Sequence, residues 1–467
     1  MNIYSGTSFH QLKIHTMLEQ CPHSTICLPA TVSPRIVVVG AGFAGINLIK
    51  KLRDKPVQVV LLDKNNFHQF QPLLYQVAIA GLEPDSILSP IRKLFQGYKN
   101  LIYRMAEVIG IEPESNRIHT NIGWVRYDYL VIATGSVTNF YGLKNISLNS
   151  IGLKDIGDAL DIRSWILQNL EEATITCNLK EKDALTNFVI VGGGPAGVEL
   201  AGALAEYKQY LLHKDYPELA TEWMKIFLIE AQDRLLPMMT KEASNHAKKV
   251  LKDLSVEVLL NTAVNNYNGS IVTLANGEKL PAKMLVWTAG VKGESPSGLE
   301  NGLILKNGRI NVDEYNRVTG YSNVFAIGDV AAMISDEYPS GHPMLAPVAI
   351  QQGNLLGENL IHLIQTGNFK RPFVYKDKGS MATIGKKNAV AEIGSRKWKG
   401  WIAWLLWSTV HLISIVGFRN KIMVGVNWLF HYLTYEKANR LIIRKFKPGS
   451  DNTNTSKLNV ETNEMVN

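Results

Sequence analysis

Two runs of β-branched residues, each leading through a glycine-rich turn into a helix, predict an α/β chain with two doubly wound parallel-sheet domains. A third feature, a basic and tryptophan-rich segment near the C-terminus, predicts helices that meet a membrane. The 467 residues allow two or three domains with sizeable cores. With 46% apolar and 19% charged residues, the chain is neither disordered nor a multi-span membrane protein. Its three cysteines (Cys21, Cys27, Cys177) include no Cys-x-x-Cys, which excludes a disulfide framework and argues against a structural zinc site. No metal site is expected.

Residues 1–33 are polar and lack both an apolar run suited to a signal peptide and the arginines of a transit peptide; they read as a disordered leader, with Met17 an alternative start. Order is expected from Arg35. Ile36-Val37-Val38-Val39 has the pattern of a strand buried on both faces, and Gly40-Ala41-Gly42-Phe43-Ala44-Gly45 turns it into a helix running to Leu52. A second strand, Val57–Asp63, ends in an acid followed by Lys64. The unit then recurs: Phe188–Val191, Gly192-Gly193-Gly194-Pro195-Ala196-Gly197, a helix to Tyr207, and Lys225–Glu230. Beyond it come short strands at Val256–Leu260, Ser270–Leu274 and Met284–Trp287, then Val324–Ile327 ending in Gly328-Asp329, and a helix from about Ala349 to Thr366. A Lys/Gly-rich turn region at 376–399 leads into the hydrophobic segment.

A lone G-x-G-x-x-G is weak evidence, but here both copies follow a strand, open a helix and precede a strand ending in an acid. Gly40 and Gly192 permit the tight turn. Gly42 and Gly194 let backbone N–H groups approach a pyrophosphate, and Gly45 and Gly197 let helix and strand pack closely. Phe43, Ala44, Pro195 and Ala196 complete helix N-termini whose orphan N–H groups favour an anion. Asp63 and Glu230 would accept from ribose hydroxyls. An acid at position 230 repels a 2′-phosphate, so NADH is expected over NADPH, with Arg234 near enough to soften that preference. Two such units make this a two-dinucleotide chain of Rossmann-like domains.

Two further segments, Asp128–Gly135 (ending Ala133-Thr134-Gly135) and Val324–Asp329, resemble the secondary fingerprints of the two-dinucleotide-binding-domain flavoproteins. The resemblance covers roughly residues 34–375. It implies that the first unit holds non-covalent FAD, with Thr134, Gly135 and Gly328 at the site and Asp329 on the ribityl chain, and that an inserted second unit holds NADH. The stretch after the first unit, Phe70-Gln71-Pro72-Leu73-Leu74-Tyr75-Gln76-Val77-Ala78, has no cysteine, which excludes a dithiol relay. It is similar to the corresponding stretch of type II NADH dehydrogenases, single-chain NADH:quinone oxidoreductases of respiratory membranes. That family implies Gln76 beside the flavin, and Glu199 between nicotinamide and flavin as a catalytic group that relays protons. As a first-turn acid, Glu199 would also suit the helix dipole without any such role. The family's Ala-Gln-x-Ala-x-Gln quinone motif corresponds to Ala346-Pro347-Val348-Ala349-Ile350-Gln351-Gln352, which keeps Ala349, Gln351 and Gln352 but has Pro347 in place of the first glutamine.

The net charge of +8 suggests nucleic acid until it is located: ten of the basic residues and one acid lie between Ser395 and Pro448, and the rest of the chain is near neutral. Five of the nine tryptophans lie there too, so the partner is a membrane surface and not nucleic acid. Trp401–Phe418 is uncharged over eighteen residues, about 27 Å of helix and short of a ~30 Å hydrocarbon core. Basic residues flank it on both sides, which favours two helices lying in the interface over a span; a buried helix pair or a homodimer interface is the plainer alternative.

The expected domains are a leader (1–33), the FAD domain in two parts (34–150 and 285–375), the NADH domain (151–284), a membrane-anchoring region (376–447) and a disordered tail (448–467). The expected activity is transfer of hydride from NADH to N5 of FAD and then of two electrons to a membrane quinone, without proton pumping. The enzyme would be peripheral, on the cytoplasmic face of a bacterial inner membrane. A soluble flavoprotein reductase with a ferredoxin- or rubredoxin-like acceptor is the alternative, as is a redox sensor without turnover.

Overall fold

The computed structural model describes residues 25–300, 302–434, 439–442 and 444–448. They divide into two compact units: the described residues up to His68 with Pro90–Val137 and Lys292–Lys376, and Gln69–Ser89 with Thr138–Val291 and the described residues from Asp377 onward.

The first unit is built on a five-stranded parallel sheet in the order Val324–Ala326, Tyr129–Ile132, Arg35–Val39, Gln58–Asp63, Leu101–Met105. Its central strand pairs on both sides, Val38 with Leu61 and with Val131, so every side chain from Ile36 to Val39 is buried and the run can be continuously apolar. The helices Phe43–Leu52 and Ala346–Thr366 cover one face, with Ile46, Leu48, Ile49, Leu356 and Leu360 in a common core. A three-stranded antiparallel sheet (Val108–Glu112, Arg117–Thr120, Gly123–Arg126) stands beside it.

The leader expected over 1–33 is corrected from Thr25 onward. Thr25 bridges Trp124, the Ile26 N–H donates to the Trp124 carbonyl (2.9 Å), and Ile26 is buried in the core of this unit. The Gln58 amide and the Arg104 guanidinium tie down the carbonyls of Pro29 and Cys27. A polar stretch thus orders through two apolar residues and its own backbone. Residues 1–24, and the expected tail beyond Pro448, lie outside the described residues.

The second unit repeats the plan with four parallel strands, in the order Val256–Leu259, Lys225–Ile229, Asn187–Val191, Met284–Trp287. The helices Ile156–Ile175 and Pro195–Tyr207 pack on it, the latter running on into a π-helical turn at Lys208–Leu212. The region expected as turns at 376–399 contains a three-stranded antiparallel sheet, Ser380–Thr383, Ala389–Ile393, Arg396–Lys399. Ala382 and Thr383 on the first strand and Ala389, Val390 and Ala391 on the second are buried, short apolar runs that the neighbouring lysines and glycines obscure.

The C-terminal hydrophobic segment is two helices, Trp401–Ser414 and Phe418–Thr434, broken where Gly417 takes φ +92°. No helix among the described residues is long and apolar enough to cross a membrane. The pair is held within its unit by polar contacts: Asn420 to the Leu88 carbonyl (2.7 Å), Ser89 to the Val416 carbonyl (3.0 Å) and Asn427 to Glu83 (2.6 Å). Trp401, Ile402, Leu405, Val410, Ile413, Phe418, Val426, Leu429 and Phe430 are left exposed.

Candidate functional site

The two glycine turns have the same geometry, each within its own unit. Gly40 (φ +103°) donates to the Leu62 carbonyl and Gly192 (φ +115°) to the Ile229 carbonyl, each at 2.8 Å. A Cβ on Gly45 or Gly197 would fall inside the carbonyl oxygen of Gly40 or Gly192, whereas one on Gly42 or Gly194 would meet open space. Those open positions are the N-caps of the helices Phe43–Leu52 and Pro195–Tyr207, and neither has a side-chain cap. The first-turn N–H groups therefore remain to be satisfied by an anion.

The acids expected to hold ribose also brace the turns. Asp63 accepts from the Ala41 and Asn65 amides (2.6 and 2.7 Å), and Glu230 from those of Gly193 and Gln232 (2.5 and 2.8 Å). A carboxylate has about four acceptor sites, so each keeps capacity for hydroxyl groups. Burial raises the Asp63 carboxyl above its ordinary range, and the two amides oppose that shift. Lys64 is engaged at the surface with Glu294 (3.1 Å), and Arg234 donates to the Pro237 carbonyl (2.7 Å). Both cradles fit a dinucleotide.

Around the first cradle the structure gathers residues far apart in sequence. Thr134 donates to the Glu294 carbonyl (2.5 Å), which places Gly135 (φ +81°) at the strand end. Asp329 accepts from Ser136 (2.5 Å), and the Gly328 N–H donates to Gln352 (2.7 Å). A Cβ on Gly328 would crowd that of Ala44 and touch that of Ala349. Ala349 and Gln352 are therefore buried beside Gly328, while Gln351 clasps both backbone groups of Lys376 (2.9 and 3.0 Å).

The second unit holds a network with Glu199 at its centre. Glu199 lies past the first turn of its helix and is buried, so the helix-dipole explanation does not account for it. Its carboxyl accepts from the Thr383 N–H at 3.3 Å, and burial pushes its pKa from 4.5 to about 8. The Thr383 hydroxyl meets the Tyr75 phenol (2.9 Å), which accepts from the Gln76 amide (2.9 Å), and the Gln76 carbonyl accepts from the Trp428 indole (2.8 Å). Burial and the nearby Glu199 raise Tyr75, which stays protonated. Trp407 packs against Tyr75, Trp428 and His411, at centroid distances of 6.5, 5.4 and 4.1 Å. Burial lowers His411 to about 4, so it is neutral.

Of this network, sequence reading singled out Glu199 and Gln76. Tyr75 lies in the cysteine-free stretch without a role of its own there, Thr383, Trp407 and Trp428 meet Glu199, Tyr75 and Gln76 from 184 to 352 residues away, and His411 stacks on Trp407 from the next turn of the same helix.

Paired dinucleotide cradles and a buried, protonated carboxyl define a two-nucleotide oxidoreductase. Residues 34–353 match the pyridine nucleotide-disulphide oxidoreductase family, and residues 378–435 match the NDH2 C-terminal domain. The type II NADH:quinone oxidoreductases Ndh and NdhA of Mycobacterium tuberculosis are 31% and 32% identical, over 86% and 84% of this chain and 89% and 86% of theirs. The NDH2 structure from Plasmodium falciparum in complex with NADH shares the fold, with a TM-score of 0.80 over 88% of this chain and all of that one, at 22% identity. The chain belongs to the pyridine nucleotide-disulphide oxidoreductase family and, within it, to the type II NADH dehydrogenases. Its described cysteines, Cys27 and Cys177, are both free.

Proposed function

We propose that this chain is an FAD-dependent NADH:quinone oxidoreductase, converting NADH, a proton and quinone to NAD⁺ and quinol. FAD, bound at the Gly40–Gly45 cradle, supplies the two-electron chemistry that links the two substrates. The chain's own residues bind and orient. Gly192–Gly197 and Glu230 hold NADH, and Asp63, Thr134, Gly135 and Asp329 hold the flavin nucleotide. Gln76, Ala349, Gln351 and Gln352 are the residues assigned to the flavin and quinone surroundings.

The observation that carries the reading is Glu199: a buried carboxyl that remains protonated at neutral pH within a hydrogen-bonded chain through Thr383 and Tyr75 to Gln76. Such a group can give a proton to a reduced quinone oxygen and be reprotonated afterwards. The test is anaerobic stopped-flow absorbance. NADH should bleach the flavin of the purified protein, and a short-chain quinone should restore it as quickly. Bleaching without recovery would redirect the search to a protein acceptor.

The exposed apolar faces of the two C-terminal helices, flanked by Arg396, Lys397 and Lys399, support monotopic attachment to an anionic membrane surface. NADH is a cytoplasmic substrate, which favours the cytoplasmic face of a bacterial inner membrane. No helix among the described residues is suited to span, which supports our reading that electron transfer is not coupled to pumping, and a homodimer would have to form elsewhere or compete for the same faces. Replacing both Leu405 and Phe418 with glutamate should weaken vesicle binding by about a hundredfold or more, since each buried side chain is worth about 1.5–3 kcal/mol. NADH oxidation with a water-soluble acceptor should be unchanged. Retained sedimentation with anionic vesicles would place the membrane contact elsewhere.

A further inference from the structure

Trp407 is 1% exposed, yet its indole N–H meets no acceptor at hydrogen-bond geometry among the described residues. Buried tryptophans ordinarily find a partner for this donor. The ring cannot turn to seek one. It is stacked on His411, tilted against Trp428, and set edge-on to Tyr75. The N–H instead faces the Glu199 carboxyl, close enough to favour its ionised form.

The other side of that carboxyl is thinly served. Among the described residues the Thr383 N–H is the one donor at hydrogen-bond geometry, and at 3.3 Å it is long beside the 2.7–2.9 Å usual for bonds to a carboxylate. Among the described residues, the groups packed around it bring no cation. Tyr75 is a neutral phenol, His411 lies neutral behind the indole, and Glu206, further along the same helix, accepts from the Lys386 backbone N–H. A neutral carboxylic acid tolerates these surroundings. A carboxylate there needs another donor, and the unpartnered indole N–H is the one positioned to supply it.

We propose that Trp407 is a positioning residue for proton transfer: its indole N–H is held in reserve beside Glu199 and becomes the carboxylate's donor once Glu199 has released its proton. The inference rests on the quinone-reductase reading above. It also gives the first C-terminal helix two faces with different tasks, since Trp407 lies on the inward side of the helix whose outward side presents Trp401, Leu405 and Ile413.

The test is Trp407→Phe in the full-length, FAD-loaded protein, with both half-reactions followed across pH by anaerobic stopped flow and a short-chain quinone as oxidant. Reduction by NADH should stay within about twofold of the parent. Reoxidation by quinone should slow about tenfold, with its alkaline limb displaced upward by about one pH unit, because loss of a donor to the ionised form makes Glu199 a weaker acid. A Trp407→Phe protein with the parent pH profile, or with both half-reactions slowed alike, would overturn the proposal in favour of a packing role. If phenylalanine costs flavin binding, benzothienylalanine incorporated at 407 keeps the ring shape and lacks the N–H, and the same displaced limb is required of it. A parent enzyme that fails to reduce quinone at all would remove the underlying reading; a competent parent with an indifferent variant removes only the role of Trp407.

Discussion

Gly45→Ala is expected to give a colourless protein, and Gly197→Ala a yellow one that NADH reduces at least a hundredfold more slowly. The two substitutions are matched. In each, the added Cβ meets a backbone carbonyl, that of Gly40 or Gly192, which is fixed by the parallel strand it leaves. A flexible side chain could yield; a carbonyl at the end of a buried strand cannot without moving the turn whose N–H groups face the ligand. Overpacking of this kind costs about 1–3 kcal/mol in folding stability alone, and the ligand's share is lost in addition. The pair also tests which cradle holds which nucleotide. Flavin content is read from absorbance after gel filtration, and NADH reactivity from bleaching under anaerobic conditions. If Gly197→Ala lost its colour and Gly45→Ala kept it, the assignment of FAD to the first unit would be reversed.

These cradles were legible because their chemistry is local. Strand, turn, helix and acid lie together within 35–63 in the first unit and within 187–230 in the second, and Gly40 and Gly192 have the same conformation for the same reason. Legibility fails with distance along the chain. Thr383 sits on a strand hidden among lysines and glycines, and its N–H meets a carboxyl 184 residues away. Trp407 and Trp428 read as interfacial tryptophans, and they do lie on the C-terminal helices, but their side chains turn inward to Tyr75 and Gln76. Ile26 and Leu28, two apolar residues in a polar stretch, were too sparse to signal order by periodicity, and only the core they complete reveals it. Gln351 and Gln352 are adjacent in sequence and serve opposite ends: one clasps Lys376 at the surface, the other is buried under Gly328. A motif fixes residue types, but the helix face decides which of them points inward.

Glu199→Gln separates the chemistry of this carboxyl from its structural cost. Glutamine keeps the size and can still accept from Thr383, but it has no acidic proton. Flavin reduction by NADH should persist, while reoxidation by quinone falls about 10²–10⁴-fold, the range expected for loss of a general acid. The stability effect has the opposite sign. Burial raises the folded-state pKa from 4.5 to about 8, so between those values the folded chain retains a proton that the unfolded chain has released. Stability linked to Glu199 is therefore full below pH 4.5, declines as pH rises, and is lost once pH passes about 8. Glutamine carries no such penalty, so the variant should melt near the parent at pH 5 and above it at pH 9. The difference corresponds to roughly 3–5 kcal/mol, or several degrees. Parallel melting curves at both pH values would show that the carboxyl ionises freely in the folded chain. Glu199 could not then hold the proton assigned to it, and the quinone-side acid would have to be sought among other groups.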